Sequence, residues 1–228
     1  MGLKEKILKI SFVKNWKRNQ QKKLFKGSAK YWDERYKEGD NSGSGSYYHL
    51  AEYKADVIND FVTKNKLMTV MEFGCGDGNQ LKIAKYPVYI GLDISPTAVK
   101  MCYKQFKTDQ TKSFYVYDSM AFFDNARLFK ADLTMSLDVL YHLVEKEIFE
   151  NYLRHLFAAS DKYVIIYASD YDQAEEPVHQ HENRRNFSDF VQNNIPGWKL
   201  KEVIKNKYPV SQYKEKGSLS DFFIYEKV

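Results

Sequence analysis

The chain has 228 residues, 43% of them hydrophobic and 29% charged, with a formal net charge of +5, a composition that fits a globular domain with one full core. Its longest apolar run, YVIIYA at 163–168, is far shorter than the roughly 20 residues that cross a bilayer. Cys75 and Cys102 are the two cysteines; they give no disulfide framework, and a reducing cytoplasm is the expected setting.

The charge is unevenly placed. Residues 1–26 carry nine Lys/Arg and one acid, a balance of +8, which leaves 26 basic and 29 acidic residues and a balance of −3 for 27–228. The chain therefore divides into a basic arm, 1–26, and a single mildly acidic domain, 27–228. Lys4, Lys6 and Lys9 break up the one stretch that could read as a secretory leader. Leu3, Ile7 and Ile10 stand at helical spacing between lysines. Two readings of the arm stay open: a basic amphipathic helix on an anionic membrane surface or a partner, or a helix or tail that covers the core. A nucleic-acid partner is not expected, because its basic stripe should lie on the folded body.

Next in chain order, SAKYWDERY reads as a short helix and GDNSGSGSYY as a flexible Gly/Ser loop. HLAEYKADVINDFVTKN sets Leu50, Tyr53, Val57, Ile58 and Phe61 on one helical face. LMTVMEF is a first strand and YPVYIGLD a second. Ser95 caps a helix with Pro96 in its first turn, and Val99, Cys102, Tyr103 and Phe106 form its inward stripe. KSFYVYD and ADLTMSLDVL are the third and fourth strands, EKEIFENYLRHLFAAS a helix, and KYVIIYAS a very apolar fifth strand. A polar stretch from Asp170 to Arg185 precedes a short helix at NFSDFVQNN. WKLKEVIKN and DFFIYEKV, with only a loop between them, suit a terminal antiparallel pair. Strands alternating with helices imply a parallel α/β sheet covered on both faces.

The segment VMEFGCGDGNQL, 70–81, leaves the first strand and places Gly74, Gly76 and Gly78 at alternate positions. A dinucleotide site would want G-x-G-x-x-G with a pyrophosphate on the helix N-terminus. Here Asn79 follows, and Glu72 and Asp77 would repel phosphate. No Lys-Ser or Lys-Thr follows, which excludes a phosphate loop of the Walker type. The same carboxylates favour a ligand that carries positive charge and no phosphate.

With its acid at the strand end and its G-x-G-x-G, VMEFGCGDG resembles the first motif of the class I S-adenosylmethionine-dependent methyltransferases. Asp93, 21 residues beyond Glu72, matches the acid by which that family binds both ribose hydroxyls, with Ile94 beside it. Asp118, Ser119 and Met120 match the group beside the adenine. The resemblance covers roughly 45–170 and implies a Rossmann-like fold: a mostly parallel seven-stranded sheet with a C-terminal antiparallel strand. The implied cofactor is S-adenosylmethionine. In similar small bacterial methyltransferases a Gly/Ser loop closes over the methionine end, which would put Ser44, Gly45 and Ser46 at the cofactor's carboxylate with Tyr31 or Trp32 nearby; the other reading is a solvent loop. Glu72 has its own bland reading, as a cap for the turn's amides.

The fourth strand ends in SLDVLYHL, which in the family borders cofactor and acceptor, so Leu137 joins the cofactor set. Asp138 and His142 are one helical turn apart and are the catalytic candidates. His142 is the first choice for a base, since an imidazole titrates near neutrality; a structural histidine bonded to a carbonyl is the alternative. No proline follows Asp138, unlike the DNA and RNA amino-methyltransferases, and no cysteine nucleophile stands there. The Asp-Asn pair of catechol-type metal enzymes is Asp170-Tyr171 here, so no metal is expected.

The acceptor candidates are His179, His181, Arg184 and Arg185, since paired arginines suit bidentate recognition of anions. A similar basic-then-Phe segment occurs in look-alikes from bacterial surface-polysaccharide clusters. The expected activity is O-methylation of a small polar or anionic acceptor, such as a nucleotide-activated or capsule-type sugar or its phosphoramidate precursor. The expected place is the cytoplasm, with the arm offering weak contact to the inner membrane face. The alternatives are O- or N-methylation of another small metabolite, or a non-catalytic cofactor-binding scaffold.

Overall fold

The computed structural model describes residues 27–173 and 180–228, so the basic arm and His179 lie outside the described residues. The strands are β1 (Thr69–Phe73), β2 (Val88–Asp93), β3 (Lys112–Val116), β4 (Ala131–Leu137), β5 (Ser160–Ala168), β6 (Trp198–Ile204) and β7 (Asp221–Lys227). The helices are α1 (Ser28–Lys37), α2 (Tyr48–Lys64), α3 (Pro96–Gln105), α4 (Lys146–Ala158), α5 (Phe187–Asn194) and the short α6 (Val210–Tyr213). No helix among the described residues is long and apolar enough to cross a membrane.

The seven strands form one sheet in the order β3-β2-β1-β4-β5-β7-β6. Every pairing is parallel except the two made by β7. This is the expected mostly parallel sheet with a C-terminal antiparallel strand.

The run YVIIYA shows how the two faces are filled, because successive side chains on a strand point to opposite sides. Val164 and Ile166 enter a core with Leu153, Leu156 and Phe157 of α4 and Val191 of α5. Ile165 and Tyr167 enter the opposite core with Ile58 and Val62 of α2 and Cys102 of α3. Full burial of each such aliphatic chain contributes about 1.5–3 kcal/mol, which is why this strand sits inside the sheet with partners on both edges.

Three local expectations change. Along α3 the inward line is Ala98, Cys102 and, partly, Phe106, spaced by four, while Tyr103 is 68% exposed. Gly78 explains that line: with φ +75°, it lies where a Cβ would come within 2.9 Å of the Cys102 sulfur, so α3 packs directly on the glycine turn. Along α2 the buried residues are Leu50, Ala51, Lys54, Ala55, Ile58 and Val62. Tyr53, Val57 and Phe61 pack at the edge of that core. Between β6 and β7 the connection holds α6 and a bridge from Pro209 to Ser218, more structure than a plain loop.

From β1 the chain moves outward to β2 and β3, then returns across β1 to β4. The strand order therefore reverses between β1 and β4. At such a reversal the βα connections diverge and leave a crevice at the carboxyl ends of the strands.

Candidate functional site

A cavity occupies that crevice, lined by Gly74 and Gly76 of the glycine turn, Asp93 and Ile94 after β2, Asp118 and Ser119 after β3, and Leu137, Asp138 and His142 after β4. Ser46, Trp32, Tyr36, Lys54, Gln80 and Tyr152 complete much of the wall. Of the residues expected at the cofactor, Gly78, Ser44, Gly45, Met120 and Tyr31 are not in this lining. Met120 is 44% exposed, and Tyr31 stacks on His181 at 4.4 Å.

Each carboxylate has a distinct local role. Asp93 accepts from the Gly76 amide at 2.8 Å and the Ser95 amide at 2.9 Å, so it ties the glycine turn to the start of α3. Burial nevertheless raises its pKa to about 6. Glu72 is deeply buried and accepts from the Tyr89 hydroxyl at 2.6 Å; it does not cap the turn. Burial raises its pKa to about 7, with Tyr89 and Lys54 working in the opposite direction. Asp77 is the carboxylate that serves the turn, accepting from the Asn79 and Ser42 amides.

The Gly/Ser segment is docked on this turn. Ser42 and Asp77 exchange hydrogen bonds, amide to carboxylate at 3.0 Å and amide to hydroxyl at 2.9 Å. The Asn79 side chain donates to the Ser46 carbonyl at 2.7 Å. Gly76 has no room for a side chain, since a Cβ there would lie 2.3 Å from the Ser42 hydroxyl. Gly45 presses on the other wall, where a Cβ would be 2.7 Å from an Asp138 oxygen.

Asp138 adopts φ 59°, in the left-handed region, which an aspartate tolerates better than most residues. Its amide bonds the Tyr167 carbonyl. Its carboxylate meets Lys54 at 2.7 Å, the Ser220 hydroxyl at 3.0 Å and the Tyr141 hydroxyl at 3.2 Å. Lys54 is fully buried, so this is an internal ion pair, and removing one partner would strand the other. The sequence offered no signal for it beyond a lysine inside an apolar helical face.

His142 follows on a short turn, with its ring among Trp32, Tyr141 and His181. Its Nδ1 lies 3.1 Å from the His181 carbonyl. A carbonyl only accepts, so Nδ1 carries the hydrogen and Nε2 is the basic nitrogen. Burial lowers the His142 pKa to about 4, away from the near-neutral titration expected of it.

Beyond β5, Arg185 donates to the Leu143 and Val144 carbonyls and lies over the Phe149 ring. Arg184 pairs with Glu182 at 3.0 Å and covers Tyr141. Arg185→Ala should therefore act mainly on stability, by about 1–3 kcal/mol for a lost charged donor, with a lower urea midpoint and an unchanged acceptor Michaelis constant. His142, His181 and Glu182 each bring a ligand atom within 4.8 Å of the others. That set could hold a cation, although Arg184 competes for Glu182.

The charge pattern decides what the cavity suits. Among the described residues, Glu72, Asp77, Asp93, Asp118 and Asp138 face it, and Lys54 is the one Lys or Arg in the wall. Among the described residues no guanidinium lines it for a phosphate, and the amides of the turn are taken up by Asp93, Ser42, Asp77 and the Leu92 and Cys75 carbonyls. A cationic, phosphate-free nucleoside fits this donor set, and S-adenosylmethionine is such a molecule: Asp93 would hold its ribose, Asp118 and Ser119 its base, and Glu72 its cationic end.

Comparison with known proteins agrees. Residues 47–207 match the family described as Methyltransferase domain. The small RNA 2'-O-methyltransferase of Arabidopsis thaliana is 27% identical over 150 residues, covering 59% of this chain; the match spans only 16% of that relative's length. Among solved structures, the N-methyltransferase NodS from Bradyrhizobium japonicum WM9, in complex with S-adenosyl-L-homocysteine, superposes with a TM-score of 0.61 at 13% identity, covering 78% of this chain and 87% of that one. The methyltransferase domain of bacterial CtHen1 gives 0.58 at 16% identity, over 76% and 96%. Magnesium protoporphyrin IX methyltransferase from Synechocystis PCC 6803 with bound S-adenosylmethionine gives 0.56 at 17%, over 78% and 79%. At these identities the structures speak to the fold, and the family match over most of the chain speaks to the chemistry: the protein belongs to the methyltransferase domain family and is an S-adenosylmethionine-dependent methyltransferase.

Proposed function

We propose that this methyltransferase acts on a hydroxyl oxygen of a small polar or anionic acceptor, a nucleotide-activated or capsule-type sugar or its phosphoramidate precursor, with His142 as the general base. The observation that carries the reading is the tautomer of His142: the carbonyl of His181 fixes the hydrogen on Nδ1, leaving Nε2 as an acceptor in the cavity wall. The acceptor class is carried from the sequence likeness of the segment before Phe187 to look-alikes from bacterial surface-polysaccharide clusters, and not from Arg184 and Arg185, which are engaged within the fold. The 2'-O activity named for the Arabidopsis relative also supports a sugar hydroxyl.

When bound, the cofactor supplies a methyl group on a cationic sulfur, already activated for displacement. The work left to the protein is to align the acceptor oxygen with that carbon and to take its proton. His142 Nε2 receives the proton as the oxygen forms its new bond, and passes it to solvent. Asp138, saturated by Lys54, Ser220 and Tyr141, fixes the backbone that carries His142 and serves as a positioning residue. Trp32, edge-on to the His142 ring at 4.8 Å, helps keep water from the base.

A second reading has its own observation, the convergence of His142, His181 and Glu182. A divalent cation there would lower the pKa of a coordinated hydroxyl in place of the base. One experiment separates them. The protein is given methyl-labelled S-adenosylmethionine and a panel of anionic sugar acceptors and amines, before and after chelation, and the product methyl is located by NMR. Methyl on oxygen with activity unchanged by chelator supports the base. Activity lost on chelation and restored by divalent cation supports the second reading. Methyl on nitrogen would overturn both.

A further inference from the structure

The loop between β3 and β4 splits each of its apolar pairs. Phe122 packs edge-on to Tyr117, Phe129 and His155, and Phe129 lies against Tyr115. Their neighbours turn the other way: Phe123 is 83% exposed and Leu128 80%. Asp124 sets the turn between them, its carboxylate accepting from the Leu128 and Phe129 amides at 2.8 and 2.9 Å and its carbonyl from the Arg127 amide. The inward pair and this turn thus hold two large apolar side chains in water, where their surface is costly to hydrate.

Beside the loop lies a second pocket, walled by Phe123, Arg127, Lys130, His155, Trp198 and Lys227. It opens at the amino-terminal ends of β4 and β5, since Lys130 precedes Ala131 and the lining residue Ala159 precedes Ser160. The cofactor cavity lies at the opposite end of the sheet. On a body with a balance of −3, this wall brings together three Lys or Arg and one acid, Asp124, whose oxygens already serve the two amides. Lys130 and Lys227 donate to the carbonyls of Ala158 and Ser160, neutral acceptors that leave both charges in place, and Lys227 also lies 5.6 Å over the Trp198 ring.

Cations beside outward apolar side chains and an indole match the boundary between phosphate headgroups and acyl chains. We propose that this end of the molecule docks on an anionic lipid surface, with Phe123 and Leu128 entering the acyl boundary and Arg127, Lys130 and Lys227 meeting lipid phosphates. A stable protein interface buries about 800 Å² on each side around a packed apolar core. Two side chains standing out from one loop offer no such face, whereas a bilayer takes up each side chain separately.

The test is sedimentation of the full chain with vesicles of phosphatidylcholine alone and of phosphatidylcholine mixed with phosphatidylglycerol, at low and at high salt. Electrostatic attachment by the basic arm, 1–26, must fade as salt rises, while inserted apolar side chains hold on. The wild type should partition to the anionic vesicles and keep part of that binding at high salt. Phe123→Ser with Leu128→Ser should lower the partition about tenfold or more and remove the salt-resistant part. Arg127→Glu should weaken binding mainly at low salt. All variants should bind S-adenosylmethionine as the wild type does, because these residues lie outside the lining of the cofactor cavity. A double variant that partitions like the wild type, or a wild type that leaves anionic vesicles alone, would overturn the proposal. A wild type that ignores vesicles but forms a dimer, lost in the double variant, would overturn it in favour of a second copy of this chain. If the double variant does not fold, Phe123→Cys carries a polarity-sensitive dye instead, the chain's own Cys75 and Cys102 being buried. Its emission should shift to the blue on anionic vesicles, and an unshifted emission would overturn the proposal.

Discussion

His142→Ala should lower turnover by about 10²–10⁴, the range general-base assistance contributes, while affinity for S-adenosylmethionine stays within about twofold of wild type. The separation follows from the wall: the cofactor's proposed contacts are Glu72, Asp93, Asp118 and Ser119, and none of them bonds His142. Because burial lowers the His142 pKa to about 4, the imidazole is neutral throughout the working range and needs no alkaline pH to become a base. The turnover number at saturating cofactor should therefore be flat from pH 6 to 9 with respect to this group. A pH–rate profile with a step near 6.5, the unperturbed value, would contradict the burial of His142. A mild effect of His142→Ala would indicate an acceptor oxygen that is already ionised.

Asp93→Ala should weaken S-adenosylmethionine binding by at least an order of magnitude. Two losses act together. The ribose would lose its carboxylate, whose hydrogen bonds are worth about 1.5–3 kcal/mol each, and the glycine turn would lose the anchor that joins Gly76 to Ser95. The pH sign follows from direction. Both Asp93 and Glu72 have raised pKa values, to about 6 and about 7, so their charged forms, and with them cofactor affinity, are lost as the pH falls from 8 to 5. Ligand-free stability runs the other way for these two groups: their contribution is greatest on the acid side, below their unfolded pKa values, and is lost as pH rises through 6 to 7. The thermal shift given by S-adenosylmethionine should accordingly be larger at pH 8 than at pH 6. Calorimetry that finds unchanged affinity in Asp93→Ala would remove β2 from the cofactor site.

What could be read in the sequence was whatever one segment settles alone. The glycine turn, the Ser95–Pro96 helix start and the apolar run of β5 each encode their geometry within a few residues, and together they located the crevice. The contacts between distant segments could not be read. Lys54 drew no reading from the sequence because its partner, Asp138, is 84 residues away. The Gly/Ser segment looked free because Asp77, which holds it, is 35 residues on. Arg185 resembled an anion receptor in its local context, yet its guanidinium closes two carbonyls across 41 and 42 residues. His142 shows the same limit from the other side. Its place was visible, but its basicity depends on rings and a carbonyl brought from α1 and the loop after β5.

The position of β7 bears on how the molecule is assembled. This strand lies between β5 and β6 although it follows both in the chain. The outer edge of β5, from Tyr163 to Ala168, therefore stays open until Asp221–Lys227 has been placed against it, and β6 joins the sheet only through the same strand. Pairing across so long a stretch of chain is slow compared with local hairpins and helices. Any chain in which β7 had not yet paired would carry Val164, Ile165 and Ile166 on an open edge, the kind of surface that recruits a second copy. Refolding yield should thus depend on protein concentration more than on cofactor, and the species lost to aggregation would be those in which the last antiparallel strand had not yet closed the sheet.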